Sequence, residues 1–174
     1  MAAENILVTF WSRTGKTEKL ALGAALGAVQ AKAKIRLRWL REGVEDSALD
    51  SIPEWRVNRE RMGKEYIEPR EDDFAWADGM VIAIPASLSL ATTELKLYLH
   101  ALATARSNGK LRMKAAAVIV SGCTARYDDH SPGAFLSAVL SDLHLTTVPS
   151  EPGACVEAME TALLRGRRLV EFLQ

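Results

Sequence analysis

Asn5-Ile6-Leu7-Val8-Thr9-Phe10-Trp11-Ser12-Arg13-Thr14-Gly15-Lys16-Thr17 is the stretch on which the reading of this chain turns. Asn5 to Trp11 is a short apolar run with β-branched and aromatic residues, as expected for a strand buried on both faces of a parallel sheet. Ser12 to Thr17 breaks that pattern with a glycine and three hydroxyls. An Ala- and Leu-rich helix follows over about Glu18 to Ala33, with Leu22, Ala25, Leu26 and Val29 on one side. Gly23 and Gly27, four residues apart, suit a close approach of this helix to the sheet. Strand, hydroxyl-rich loop and helix start together offer what a phosphate group needs: donors, room, and the positive end of a helix dipole. The competing reading is a plain helix cap, for which one hydroxyl suffices.

Outward from this segment, Lys34 to Leu40 alternates, with Ile35, Leu37 and Trp39 on one side and Lys34, Arg36 and Arg38 on the other. It reads as a half-buried strand towards a sheet edge. From Arg41 to Asp78 the chain is polar, punctuated by Pro53, Gly63 and Pro69, and only Asp72 to Ala77 reads as a short helix. So long a connection marks a functional loop or a partner-binding excursion. Met80 to Pro85 and Ala115 to Val120 are continuous apolar strands, with a helix from about Thr93 to Ala105 between them that buries Leu95, Tyr98, Leu99 and Leu102. A further helix starts near Gly133, and Thr146 to Val148 is a weak last strand. Val156, Met159, Leu163, Val170 and Leu173 mark the inner face of a closing helix. Alternating strands and helices imply an α/β domain with a parallel sheet covered on both faces. Ligands of such sheets bind at the carboxyl ends of the strands, where the strand order reverses, so the loops 12–17, 85–92 and 121–132 are the ones to read.

The 174 residues are 48% hydrophobic, enough for one core and too few for two full domains, so a single domain over 1–174 is expected. Lys and Arg total 22, as do Asp and Glu, and this balance supplies no field for nucleic acid or an anionic membrane. No apolar run reaches the roughly 18–20 residues of a membrane span, and Met-Ala-Ala-Glu-Asn does not open a signal peptide. The expectation is a cytoplasmic protein with no membrane insertion and no nucleic-acid partner. Cys123 and Cys155 are too few for a disulfide framework or a four-thiolate zinc site, and no metal is expected. Gly15-Lys16-Thr17 matches the tail of a nucleotide-triphosphate P-loop, but Phe10 stands where that motif needs its first glycine. A phosphatase loop built on Cys123 would need an Arg where Asp129 stands.

Ile6-Leu7-Val8 running into Ser12-Arg13-Thr14-Gly15-Lys16-Thr17-Glu18-Lys19-Leu20-Ala21 resembles the opening of flavodoxin-like proteins, whose Ser/Thr-x-Thr-Gly-x-Thr loop holds the phosphate of FMN. Phe74-Ala75-Trp76-Ala77-Asp78-Gly79-Met80-Val81-Ile82-Ala83-Ile84-Pro85, followed by a helix carrying Leu97-Tyr98-Leu99, is similar to the WrbA-type NAD(P)H:quinone oxidoreductases of that superfamily. The resemblance implies a flavodoxin-like, doubly wound five-stranded parallel sheet of order 2-1-3-4-5. It implies FMN across the strand ends, NAD(P)H as cosubstrate and a small quinone-type acceptor. The alternatives are an electron carrier, which the neutral charge disfavours because carriers tend to be acidic, and a degenerate domain kept for interactions.

The implied cofactor contacts are Ser12, Arg13, Thr14, Gly15, Lys16 and Thr17, then Pro85, Ala86, Ser87 and Leu88, then Ser121 and Gly122. In this loop type backbone amides and hydroxyls do most of the holding, leaving Arg13 and Lys16 solvated. Two departures stand out. Ala86-Ser87-Leu88-Ser89 occupies the place of the Thr-Arg-Phe/Tyr-Gly that wraps the isoalloxazine, and Ser121-Gly122-Cys123-Thr124 only approximates the glycine-rich loop after strand 4. Tyr127 is a candidate to stack on the ring in place of the missing aromatic, against an ordinary loop tyrosine. His130, which titrates near neutrality, is a candidate proton source for flavin or quinone, against a surface histidine. Leu88, Leu90 and Leu97 exceed what one helix face buries, so a homodimer or homotetramer is expected.

Overall fold

The computed structural model describes residues 3–88, 92–122, 131–149 and 158–174. Its strands are Asn5–Phe10 (β1), Lys34–Trp39 (β2), Gly79–Pro85 (β3), Ala115–Ser121 (β4) and Thr146–Thr147 (β5). They form one sheet of order β2-β1-β3-β4-β5 in which every pairing is parallel. The helices are Lys16–Gln30 (α1), Asp46–Asp50 (α2), Pro53–Glu65 (α3), Glu71–Trp76 (α4), Thr93–Ser107 (α5), Pro132–Asp142 (α6) and Met159–Leu173 (α7).

Alternation along the strands divides the core in two. Ile6, Val8 and Phe10 of β1 face the layer made by α1 and α7, together with Ala83, Ala117 and Ile119. Leu7, Met80, Ile82 and Ile84 face the opposite layer, where Phe74 of α4, Leu95 and Leu102 of α5, and Leu136 and Leu140 of α6 meet them. The three central strands are buried almost throughout, which is why they read as unbroken apolar runs.

Helix α1 departs from expectation. Leu22, Leu26 and Val29 are exposed, and the buried face is the small one: Ala21, Gly23, Ala24, Ala25, Gly27 and Ala28. The glycines serve a helix–helix contact and not a helix–sheet contact. A Cβ added at Gly27 would stand 1.9 Å from the Leu163 carbonyl oxygen of α7, and one added at Gly166 of α7 would stand 1.9 Å from that of Ala24. Backbone meets backbone, so α7 likewise buries Ala162, Gly166, Leu169 and Val170 and leaves Met159 exposed.

The 41–78 stretch holds more structure than its polarity suggests. Helix α3 buries only Trp55 and Met62, one side of an otherwise charged cylinder, with Pro53 at its start. Met62 joins Phe10 and Trp39 in the α1-side core, and the Tyr66 ring packs edge-on against Phe10 at 5.0 Å. On the other face of β2, Arg36 and Arg38 do not run to solvent. Arg38 holds the buried Asp73 carboxylate of α4 with two nitrogens at 2.7 Å, Arg36 adds a third contact at 3.1 Å, and Arg36 lies over the Trp76 ring. Burial works to raise the Asp73 carboxyl, but these guanidiniums and the Arg70 amide hold it below its ordinary value.

Gly27→Ala and Gly166→Ala are each expected to destabilise the fold by about 3 kcal/mol, although alanine would improve an isolated helix by about 1 kcal/mol. Urea unfolding measures this; unchanged or increased stability would show that α1 and α7 do not touch through their backbones.

Candidate functional site

Order reverses between β1 and β3, and the loops after β1, β3 and β4 converge there. After β1 the chain keeps Trp11 and Ser12 buried, turns at Gly15 with φ of 84°, and enters α1 at Lys16. That left-handed backbone favours glycine, which lets a strand pass into a helix in so few residues. Ser12 Oγ accepts a hydrogen bond from the Gly15 amide at 3.1 Å. Thr17, 2% exposed, shares a 2.7 Å hydroxyl–hydroxyl bond with Ser121 at the end of β4. The Ala86 amide donates to the Ser121 carbonyl at 2.8 Å. Thus Ser12, Gly15, Thr17, Ala86 and Ser121 come together as one layer, with Pro85 opposite Ser121 in the sheet. Thr14, Lys16, Ser87 and Gly122 are exposed around it.

The N-cap of α1 is Gly15, and no side chain makes a capping bond there. A cap would place a hydroxyl on the first helical amides, whereas the Ser12 and Thr17 hydroxyls are engaged elsewhere. The first amides of this fifteen-residue helix therefore carry no capping side chain among the described residues.

Arg13 and Glu18 are each paired within the protein, while Lys16 and Lys19 are exposed. Arg13 is part-exposed but paired: its guanidinium grips both oxygens of the buried Glu42, with Nε at 2.8 Å from Oε2, and lies over the Trp55 ring at 4.4 Å. Glu42 raises the Arg13 pKa further. Glu18, in the first turn of α1, is held by Arg61 through both oxygens and by the Tyr66 hydroxyl at 2.7 Å. Burial would raise its carboxyl, but these partners hold it below the ordinary value, while Tyr66 is pushed up to about 12 by burial and by Glu18. Glu42, Trp55 and Arg61 therefore belong to the surroundings of the loop, and the sequence reading had not picked them out. One signal was available: Trp55 is a lone large aromatic amid charged residues.

The second loop corrects an expectation. Leu88 turns into the core, 5% exposed, and is not part of an exposed apolar set, while Leu97 on α5 is 62% exposed. No aromatic occurs in 85–88. Leu90, Cys123, Tyr127 and His130 lie outside the described residues. Among the described residues, no cluster of three His, Cys, Asp or Glu side chains is placed to hold a metal ion, and no helix is long and apolar enough to cross a membrane.

Comparison with known proteins agrees with this architecture. No family model matches the chain. Over 120 residues it is 29% identical to a protein of Deinococcus radiodurans named NAD(P)H dehydrogenase (quinone), a match that takes in 69% of this chain and 60% of that protein's length. Among solved structures it is similar to a flavodoxin, WrbA-like protein from Agrobacterium tumefaciens (TM-score 0.63, 16% identity, 98% of each chain). A Streptococcus pneumoniae flavodoxin (0.61, 19%, 97% of each) is similar too. So is an NAD(P)H:quinone oxidoreductase from Methanothermobacter marburgensis (0.57, 15%, 99% of this chain and all of that one).

Because Glu18 titrates below the ordinary carboxylate range in the folded chain, its ionised form contributes stability above the unfolded pKa, and the contribution is lost as pH falls through the folded value. Arg61→Met is expected to cost about 1–2 kcal/mol at neutral pH, a deficit that shrinks as pH falls below that range. Urea titrations across pH check this, and a deficit independent of pH would contradict it.

With sheet order, site position and neighbours in agreement, the chain has the flavodoxin fold.

Proposed function

We propose that this chain binds FMN through the Ser12 to Thr17 loop and passes electrons from NAD(P)H to a small quinone-type acceptor. The observation that carries the reading is the uncapped start of α1 at the switch point of the sheet, with buried hydroxyls on both sides of it. The loop suits a phosphate monoester because it offers amides and a helix dipole while Arg13 and the first-turn carboxylate Glu18 are already paired, leaving Lys16 as an exposed cation beside it. The Deinococcus relative's name supports the choice of donor and acceptor. When bound, FMN supplies the hydride chemistry, and the protein supplies binding and orientation. Lys16, Thr17 and Glu18 hold the phosphate by their amides, the Gly15 amide being taken by Ser12, with the Ser12, Thr14 and Thr17 hydroxyls beside them. Pro85, Ala86, Ser87, Ser121 and Gly122 border the ring, with Tyr127 proposed to stack on it and His130 to donate a proton.

Titration with FMN and riboflavin, followed by flavin fluorescence, tests the binding. Riboflavin has the same ring and no phosphate, and is expected to bind far more weakly. Thr17→Val should weaken FMN by about 10- to 100-fold, the worth of one hydrogen bond to a charged acceptor. FMN-loaded protein should then oxidise NADPH or NADH with benzoquinone. Equal affinity for the two flavins would reject the phosphate loop, and FMN that no nicotinamide reduces would favour the electron carrier.

Self-association is proposed through α5, as a homodimer or as two such dimers. Glu94, Leu97, Ala101, Thr104 and Asn108 recur at steps of three and four residues along one stripe of the helix and line a groove of about 640 Å³ whose other wall includes Leu40 and Phe74. Leu97 is an exposed part of that groove's wall, so a two-fold axis can bring each copy's Leu97 against the other's groove. Light scattering should report a dimer or larger at micromolar concentration and a smaller species for Leu97→Glu; a monomeric wild type would sink the proposal.

A further inference from the structure

We propose that a cationic groove along α3 receives the 2′-phosphate of NADPH, making the phosphorylated dinucleotide the preferred donor; this deepens the oxidoreductase reading and rests on it. Arg41, Arg56, Arg59 and Lys64 line a groove of about 350 Å³ with Glu60 as its one carboxylate. An adjoining groove of about 380 Å³ shares Arg41 and Gly63 with it and adds Arg70 together with the carboxylate of Glu68. In a chain whose charges balance overall, this is a concentrated excess of one sign. Internal contacts absorb only part of it. Arg56 pairs with Asp50, and Arg59 donates to the Val44 carbonyl at 3.2 Å, which orients its guanidinium without neutralising it.

Gly63 is the second, independent observation. Glycine inside a helix is destabilising and is kept where something must come close. At Gly27 and Gly166 that something is another helix. At Gly63 an added Cβ would meet only the Trp39 ring, at an ordinary 3.8 Å, so packing does not demand glycine there. A side chain at 63 would instead enter the two grooves that Gly63 lines. The space it keeps open suits a ligand.

Position supplies the third. Trp55, at the start of α3, carries Arg13 of the phosphate loop. Met62 and Tyr66 pack on the carboxyl ends of β1 and β2, so the helix stays at the edge of the sheet where the flavin is proposed. At 1.5 Å per residue Lys64 lies about 14 Å along the axis from Trp55, a span suited to a dinucleotide whose nicotinamide end sits over the loops. Sites for NADH hold the ribose hydroxyl on an Asp or Glu, whereas arginines accommodate the extra phosphate of NADPH. The groove is of the second kind.

Calorimetric titration of the full chain with adenosine 2′,5′-bisphosphate and with 5′-AMP tests this, alongside KM values for NADPH and NADH with FMN and benzoquinone. The bisphosphate is expected to bind at least about 10-fold more tightly, with the margin shrinking as salt rises. Gly63→Glu, a folding-compatible change in helix propensity, and the pair Arg59→Gln with Lys64→Gln should both erase that margin. Both should raise KM for NADPH at least about 10-fold more than for NADH. A thermal melt confirms that each variant folds. Equal binding of the two nucleotides, or a margin that survives in the folded variants, overturns the proposal even if quinone is reduced. A margin lost in the variants, with no quinone reduction by either donor, upholds the phosphate site and overturns the oxidoreductase reading.

Discussion

The backbone contact between α1 and α7 fixes where the start of α1 can lie, and the candidate site depends on that position. With Gly27 against Leu163 and Gly166 against Ala24, the two helices cannot slide past each other without a Cβ-sized clash or a gap. At the other end, the Thr17–Ser121 hydroxyl pair ties the first turn of α1 to the end of β4. A helix held at both ends presents its amides in one direction, which an anion site built from backbone requires.

The polar side chains around that helix start have a different job. Glu42 takes Arg13, and Arg61 takes Glu18, so one ion pair involves the residues just after β2 and the other reaches into α3. Neither Glu18 nor Arg13 is left with an unbalanced charge beside the loop. The excursion after β2 thereby brackets the proposed phosphate loop: Trp55 supports Arg13, and Arg61 neutralises a carboxylate that would otherwise repel an anion. On the ring side the described residues give less, since Leu88 has gone into the core and 85–88 holds no aromatic. In the proposed complex, affinity then falls chiefly on the phosphate end.

Strand positions were legible because they rest on strong local signals, the buried runs at 6–10, 80–84 and 115–120, whereas the sheet order came from the flavodoxin-like resemblance of the hydroxyl-rich turn and its flanks. Two things were not. Large residues on α1 suggested a buried stripe at Leu22, Leu26 and Val29, but a helix packed backbone to backbone buries its smallest residues, and size then points the wrong way. Helix α3 was missed because Trp55 and Met62, seven residues apart, are all it buries; its remaining faces are charged, and Gly63 interrupts its propensity. Its partners, Arg13, Glu18 and Trp39, lie in distant segments, so no local pattern records them.

The central claim is that the amides at the start of α1 hold the phosphate of FMN. Amide proton shifts of ¹⁵N-labelled protein, recorded with FMN and then with riboflavin, address it atom by atom. The account requires FMN to move the Lys16, Thr17 and Glu18 amides strongly downfield, as charged acceptors do, and riboflavin to leave these three nearly in place. If FMN binds and these amides do not move, or if both flavins move them alike, the phosphate is held elsewhere and the account is wrong.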